Sequence, residues 1–210
     1  WTASKHGTKV GIIEHQRLGG TCVNVGCVPK KVMFNCASFN EDVHMSDCYG
    51  FTGIENMKLD FPTVKKHRDK YIKWLNGVYE KMLNNSDVKI IEGWAKFVDN
   101  KTVEVNGKDR YTADHILIAT GSHPQKLGIP GEEHSIDSDG FFDIEELPKK
   151  VVVVGGGYIA VELGQIFHAL GTETIQLVRS EILKFVDDDC REVLYKSMER
   201  SNYDIRKGVN

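Results

Sequence analysis

The chain contains no apolar run near the roughly 20 residues that a bilayer-crossing helix needs. It also lacks an opening segment with the charged, apolar and small-residue regions of a secretory signal. Membrane insertion and export are therefore not expected. Nor is there an excess of charge: 27 basic and 30 acidic side chains, well mixed, leave a net charge of −3. So weak a field gives neither nucleic acid nor an anionic membrane a reason to bind. Cysteine is scarce and odd in number, five in 210 residues, which excludes a disulfide-stapled secreted scaffold and points to a reducing compartment. Cys22 and Cys27 have no second Cys/His pair at zinc spacing, since Cys36, His44 and Cys48 do not form one, so no metal site is expected.

What is present suits ordinary cores. With 40 % hydrophobic residues, the chain can build one large domain or two small ones. "KVGIIE" (9–14) is a short β-branched run ending in an acid and predicts a buried parallel strand. From Asp60 to about Asn84, Val64, Tyr71, Leu75, Val78 and Met82 recur three and four residues apart with Pro62 near the start, which predicts one long amphipathic helix. Val88 to Val98 reads as a strand, and the stretch after it as a hairpin turning at Asn106-Gly107. "HILIATG" (115–121) predicts another buried strand. Residues 122–150, rich in Pro, Gly and acids, carry the expected domain boundary. After it come strand, glycine turn, helix and strand, a single βαβ unit, and the last residues start a further strand.

The nucleotide signal is Gly155-x-Gly157-x-x-Ala160, directly after "VVVV" and opening a helix. The first glycine permits the tight turn and the second lets a pyrophosphate approach the backbone. The small Ala160 lets helix and strand pack closely while helix N–H groups face the phosphates. Where an NAD site places an acid on the ribose, this chain has Arg179, which favours NADPH, with Lys184 as a second partner for the 2′-phosphate. Glu14 is an acid at the end of a strand, suited to a ribose hydroxyl. The glycine turn that would accompany it falls about 20 residues upstream, before Trp1.

Cys22 and Cys27 lie five residues apart, on different faces of an ideal helix. A bridge between them demands an irregular turn, which Asn24, Gly26 and Pro29 can supply. Lys30, Lys31 and the start of a following helix favour thiolate over thiol. The arrangement fits a reducible redox pair; two inert core thiols are the alternative reading.

"GGTCVNVGCVPKK", "RLGG", "HILIATG", "SDGFF" and "GGGYIAVE" together resemble the flavin-dependent disulfide reductase family. "CVPKKVMF", "RDKYIKWLNGVYEKML" and "GWAKF" most resemble its branch acting on glutathione disulfide. The likeness covers nearly the whole chain. Lipoamide and mercuric branches usually have Ser where Lys31 stands. The large thioredoxin-reducing branch usually has Ile at Val28 and depends on a redox tail that this chain does not contain.

The resemblance implies two Rossmann-like α/β nucleotide-binding domains with a β-hairpin insertion: residues 1–121 for FAD, lacking their first strand and glycine turn, and 122–210 for NADPH, stopping after about two strands. NADPH would sit on Gly155, Gly157, Tyr158, Ile159 and Ala160, with Tyr158 gating the nicotinamide pocket. FAD would be held by Glu14, Gly20, Thr21, Ala95, Thr120 and Gly121. Cys27 would be the charge-transfer thiolate and Cys22 the nucleophile on glutathione disulfide. Lys30 and Glu162 would pair beside the flavin, and Tyr71 and Tyr79, near one helix face, would meet the substrate. A homodimer of the full-length parent, in the cytoplasm and also the mitochondrion, is the corresponding expectation. The family's His-Glu acid pair has no counterpart here, and His168 reads as a packed residue. Trp1 and Thr2 stand where a basic pair is usual, Lys184 follows a one-residue shortening, and Ser180 replaces a basic side chain. A catalytically inactive truncated fragment or isoform, purifying without flavin, and a thioredoxin-reductase-like flavoprotein are the alternative expectations.

Overall fold

A computed structural model describes residues 1–209. Among them, in chain order, are β1 (Gly11–Glu14), α1 (Gly20–Val25), α2 (Cys27–Met45), α3 (Phe61–Asn84), β2 (Lys89–Glu92), β3 (Ala95–Asp99), β4 (Thr102–Val105) and β5 (Asp109–Thr112). The second half adds α4 (Ser138–Phe141), β6 (Lys150–Val154), α5 (Tyr158–Ala169), β7 (Glu173–Val178), α6 (Asp188–Arg200) and β8 (Asp204–Lys207). They form two compact units. One comprises Trp1–Pro29 and Asp69–Glu132; the other comprises Lys30–Arg68 and the residues from Glu133 onward. No described helix is long and apolar enough to cross a membrane.

In the first unit β1 and β2 pair in parallel, Gly11 opposite Lys89 through Glu14 opposite Glu92. The predicted strand 88–98 is in fact two. Gly93 breaks it at φ 145°, and a Cβ there would lie 2.3 Å from the Asn106 amide. Asn106 accepts from Trp94 N–H at 3.0 Å and donates to Glu92 C=O at 3.2 Å. The hairpin forms where expected, with Asn106 and Gly107 both left-handed at φ 54° and 68°. "HILIATG" takes no strand, which corrects the expectation of burial: Leu117 is 89 % and Ile118 68 % exposed. A strand needs a neighbour for its N–H and C=O groups, and among the described residues β1 and β2 pair only with each other. Local hydropathy does not encode that neighbour.

The long helix α3 starts as its sequence dictates. Asp60 accepts from the Thr63 hydroxyl at 2.6 Å and holds the first turn, where Pro62 has no N–H to lose. Its buried line differs from the predicted one: Phe61, Arg68, Ile72 and Leu83 are buried, while Tyr71 and Val78 are exposed. Arg68 was invisible to an apolar count because its burial goes with a distant pairing: its guanidinium donates to the Phe142 carbonyl at 2.5 Å.

In the second unit β6, β7 and β8 form a parallel sheet with β7 central. It has three strands, not two. The strand that the last residues were expected to start forms as β8, which α6, a polar-rich helix capped by Asp187, separates from β7 in sequence. α5 packs Val161, Leu163, Ile166 and Phe167 inward, and Phe141 meets Phe167 edge-on at 4.9 Å. Val161, Val178, Ile182, Met198 and Tyr203 form a core cluster.

Candidate functional site

The thiols are placed by a helix that breaks. α1 ends at Val25 and α2 begins at Cys27, with Gly26 between them at φ −148°, ψ −120°. This break puts Cys22 and Cys27 on separate helices, both exposed. Its cause is contact: a Cβ at Gly26 would lie 2.8 Å from the Thr21 carbonyl oxygen and 3.2 Å from Cys22 Cα. α1 is pinned from below. Asn24, 6 % exposed, donates to Leu18 and Gly20 carbonyls at 3.2 and 2.8 Å, and Asn76 of α3 donates to Asn24 Oδ1 at 3.0 Å and Leu18 C=O at 2.8 Å. Asn76 was missed by the sequence reading, because nothing local marks a helix asparagine as the support of another segment.

The obstruction at Gly26 is backbone and cannot swing aside. Gly26→Ala is therefore expected to lower stability by about 1–3 kcal/mol, the usual range for overpacking. It should also alter the reactivity of both thiols, checked by thermal unfolding and by alkylation rates at Cys22 and Cys27. An unchanged melting temperature with unchanged alkylation would refute this account of the break.

The lysines beside the thiols have other partners. Lys30 Nζ meets Glu162 of α5 at 2.6 Å, and Lys31 Nζ lies over the Phe34 ring at 4.4 Å. Both ammonium groups are thus engaged away from the thiols, Lys30 in the pair with Glu162 that the resemblance implied, and Cys27 stands at the first position of α2.

The glycine turn lies at the carboxyl end of β6, and Arg179 follows the carboxyl end of the adjacent parallel strand β7. Gly155 is left-handed at φ 137°, and Gly157 caps α5 with nothing within 4 Å of where a Cβ would sit. That opening at a helix N-terminus fits a dinucleotide pyrophosphate. Tyr158, Ile159 and Arg179 are exposed and Ala160 half-buried around it; Lys184 is exposed after Leu183, which is left-handed at φ 46°. The middle glycine, Gly156, was not singled out from sequence. A Cβ there would come within 2.9 Å of both Glu181 C=O and Val178 Cγ1, and its own carbonyl accepts from Leu183 N–H at 2.7 Å. The turn and the Arg179 loop are thus one piece.

Glu181 anchors that loop. It accepts from the Tyr195 hydroxyl at 2.7 Å and from Lys207 Nζ at 3.1 Å, with Arg191 at 3.9 Å. The hydrogen bond from Tyr195, then that from Lys207, hold its carboxyl below the usual range. A carboxylate whose pKa folding lowers contributes stability above the ordinary value, near pH 4.3, and loses it as pH falls further. The melting temperature is expected to drop on acidification below about pH 4.3, less steeply in Glu181→Gln. Identical pH slopes would contradict this.

The residues expected around a flavin all lie in the first unit. Glu14 ends β1, half-buried, accepting from Gln16 N–H at 2.9 Å. Gly20 and Thr21 open α1, after the left-handed Gly19. Ala95 begins β3. Thr120 and Gly121 stand in the exposed segment that joins no sheet. Tyr71 is exposed and stacks on Trp74 at 5.7 Å, whereas Tyr79 is half-buried. Eight residues turn a helix by about 80° beyond two full revolutions, so the two tyrosines lie toward the edges of one broad helix face. His168 contacts the Ser201 carbonyl at 2.8 Å and the Tyr203 ring edge-on, a packed residue. Among the described residues no His/Cys/Asp/Glu group could hold a metal ion.

A family model described as pyridine nucleotide-disulphide oxidoreductase matches residues 1–210. Glutathione reductase of Schizosaccharomyces pombe is 47 % identical over 193 residues, which make up 88 % of this chain and 42 % of that protein. The chain thus spans less than half the length of this curated relative.

Proposed function

This chain belongs to the pyridine nucleotide-disulphide oxidoreductase family, and we propose that the whole protein uses NADPH and FAD to reduce glutathione disulfide through Cys22 and Cys27. The observation that carries this reading is the helix break at Gly26, which sets two exposed cysteines on either side of a turn no other residue fits. The likeness to a glutathione reductase supports the substrate.

On this reading residues 1–121 serve FAD, with Glu14 on its ribose, and residues 122–210 serve NADPH. The opening at Gly157 receives the pyrophosphate, Arg179 and Lys184 receive the 2′-phosphate, and Tyr158 covers the nicotinamide pocket. Bound FAD supplies the two-electron link between nicotinamide and the cysteines. Once reduced, Cys22 attacks one sulfur of glutathione disulfide; a mixed disulfide forms and the first glutathione leaves as a thiolate. Cys27 then attacks Cys22 Sγ, closing the Cys22–Cys27 bond and releasing the second glutathione. Two electrons leave the cysteine pair and two reach the substrate. Lys30 paired with Glu162 places a charge pair beside the flavin, and exposed Tyr71, stacked on Trp74, offers an aromatic face to the substrate. The protein works as a homodimer in the cytoplasm and mitochondrion.

The test is alkylation with mass analysis of the full-length protein. Both cysteines should be unreactive as isolated and both should label after NADPH addition. Labelling of both before reduction, or of neither after it, would end the proposal. A second reading, that these 210 residues alone are inactive, is favoured by the exposed, unpaired segment 115–121. A flavin absorbance spectrum of the isolated chain decides it.

A further inference from the structure

A polar side chain sits where the sheet should be most apolar. Gln176 is in the middle of β7, the central strand, and is 0 % exposed. A buried amide is costly unless both its ends are satisfied. Its Oε1 accepts from the Tyr203 hydroxyl at 2.9 Å and its Nε2 donates to the Gly155 carbonyl at 2.8 Å. Tyr203, 4 % exposed, leads into β8, and its hydroxyl lies under α5 at Gly164. A Cβ at Gly164 would come 2.1 Å from that oxygen, so the glycine and the tyrosine require each other. Burial pushes the Tyr203 phenol up, so the hydroxyl stays a donor. A donor here fixes the amide: Oε1 must face Tyr203, which leaves Nε2 for Gly155.

The far end of this chain is the glycine turn itself. Gly155 is left-handed, a conformation that would otherwise be loose, and both of its backbone groups are held: N–H to the Leu177 carbonyl at 3.0 Å, C=O to Gln176. A trans peptide points its C=O and the next N–H in opposite directions. Fixing the Gly155 carbonyl on the buried amide therefore fixes the Gly156 N–H to point the opposite way, away from Gln176.

Resting on the NADPH reading above, we propose that Gln176 and Tyr203 are positioning residues whose buried hydrogen-bond pair sets the Gly155 peptide to receive the dinucleotide pyrophosphate. They touch no ligand. Their effect falls on one part of NADPH, the pyrophosphate, and not on the 2′-phosphate held at Arg179.

The experiment uses full-length protein and two probes: NADPH, which carries the pyrophosphate, and 2′-AMP, which carries only the 2′-phosphate end. Dissociation constants are measured by titration for wild type, Tyr203→Phe and Gln176→Leu, with melting temperatures alongside. Tyr203→Phe removes one oxygen and keeps the ring, so folding is preserved. The inference expects NADPH affinity to fall about 3- to 10-fold in each variant, the span of a typical hydrogen bond. It expects 2′-AMP affinity to be unchanged and the maximal rate of NADPH-driven reduction at saturation to stay near wild type. Lower melting temperatures with unchanged NADPH affinity would overturn it, showing a structural role only. Equal losses for both probes would also overturn it. A wild-type protein binding neither probe would instead remove the NADPH reading, and this inference with it.

Discussion

Replacing Cys22 by Ser should leave the reduction of flavin by NADPH intact and remove turnover of glutathione disulfide by on the order of 10³-fold or more, the scale of losing a nucleophile. The separation follows from the division of labour across Gly26. Cys22 lies in α1, which Asn24 and Asn76 tie to the first unit. The glycine turn belongs to the other unit. A serine hydroxyl matches the thiol closely in shape and cannot form a disulfide, so the loss is chemical. Rapid-mixing absorbance follows flavin reduction, and steady-state NADPH consumption follows turnover. A Ser variant that turns over normally would remove Cys22 from the relay. One that also fails to reduce flavin would point to a damaged fold.

Arg179→Ala should weaken NADPH by about 1.5–3 kcal/mol, or roughly 10- to 100-fold, and leave NADH nearly untouched, since a charge-assisted bond to a phosphate has that size. The geometry makes the discrimination clean. Arg179 is exposed at the end of β7, and the bonds that hold the turn proposed for the pyrophosphate are made by Gly156, Leu183 and Gln176 rather than by the guanidinium. Removing the guanidinium should not move the turn. Glu181 is the nearby acid that would repel a 2′-phosphate, but its charge is compensated by Lys207 and Arg191. Lys184 sets the lower end of the expected loss by sharing the phosphate. The ratio of the two dissociation constants is the readout, and equal losses for NADPH and NADH would remove Arg179 as the discriminating residue.

How much of this was legible in advance depended on how local its cause is. The βαβ unit was readable because strand, glycine turn and helix each follow from neighbouring residues. The hairpin was readable because Asn106 and Gly107 tolerate positive φ. The exposed segment 115–121 was not, since hydropathy does not say whether a partner strand adjoins it. Arg68, Asn76 and Gln176 were missed for one reason. Each is a polar residue whose partner lies at least 21 positions away in sequence, and such pairings have no periodicity. The cysteine pair was legible from its spacing as a candidate redox pair, while the bonds that pin α1 were not. Lys30 shows the limit of local reading: its place beside the thiols is visible in the sequence, but its pairing with Glu162, 132 residues away, was implied only by the family likeness.

The central claim is that electrons pass from NADPH to glutathione disulfide through Cys22 and Cys27. The most direct measurement is NADPH consumption by the full-length, flavin-loaded protein, recorded with glutathione disulfide, with oxidised thioredoxin and with no disulfide, each before and after alkylation of the NADPH-reduced enzyme. The account predicts rapid consumption with glutathione disulfide alone, abolished once Cys22 and Cys27 are alkylated. Consumption that persists after alkylation, or that responds to thioredoxin and not to glutathione disulfide, would contradict it.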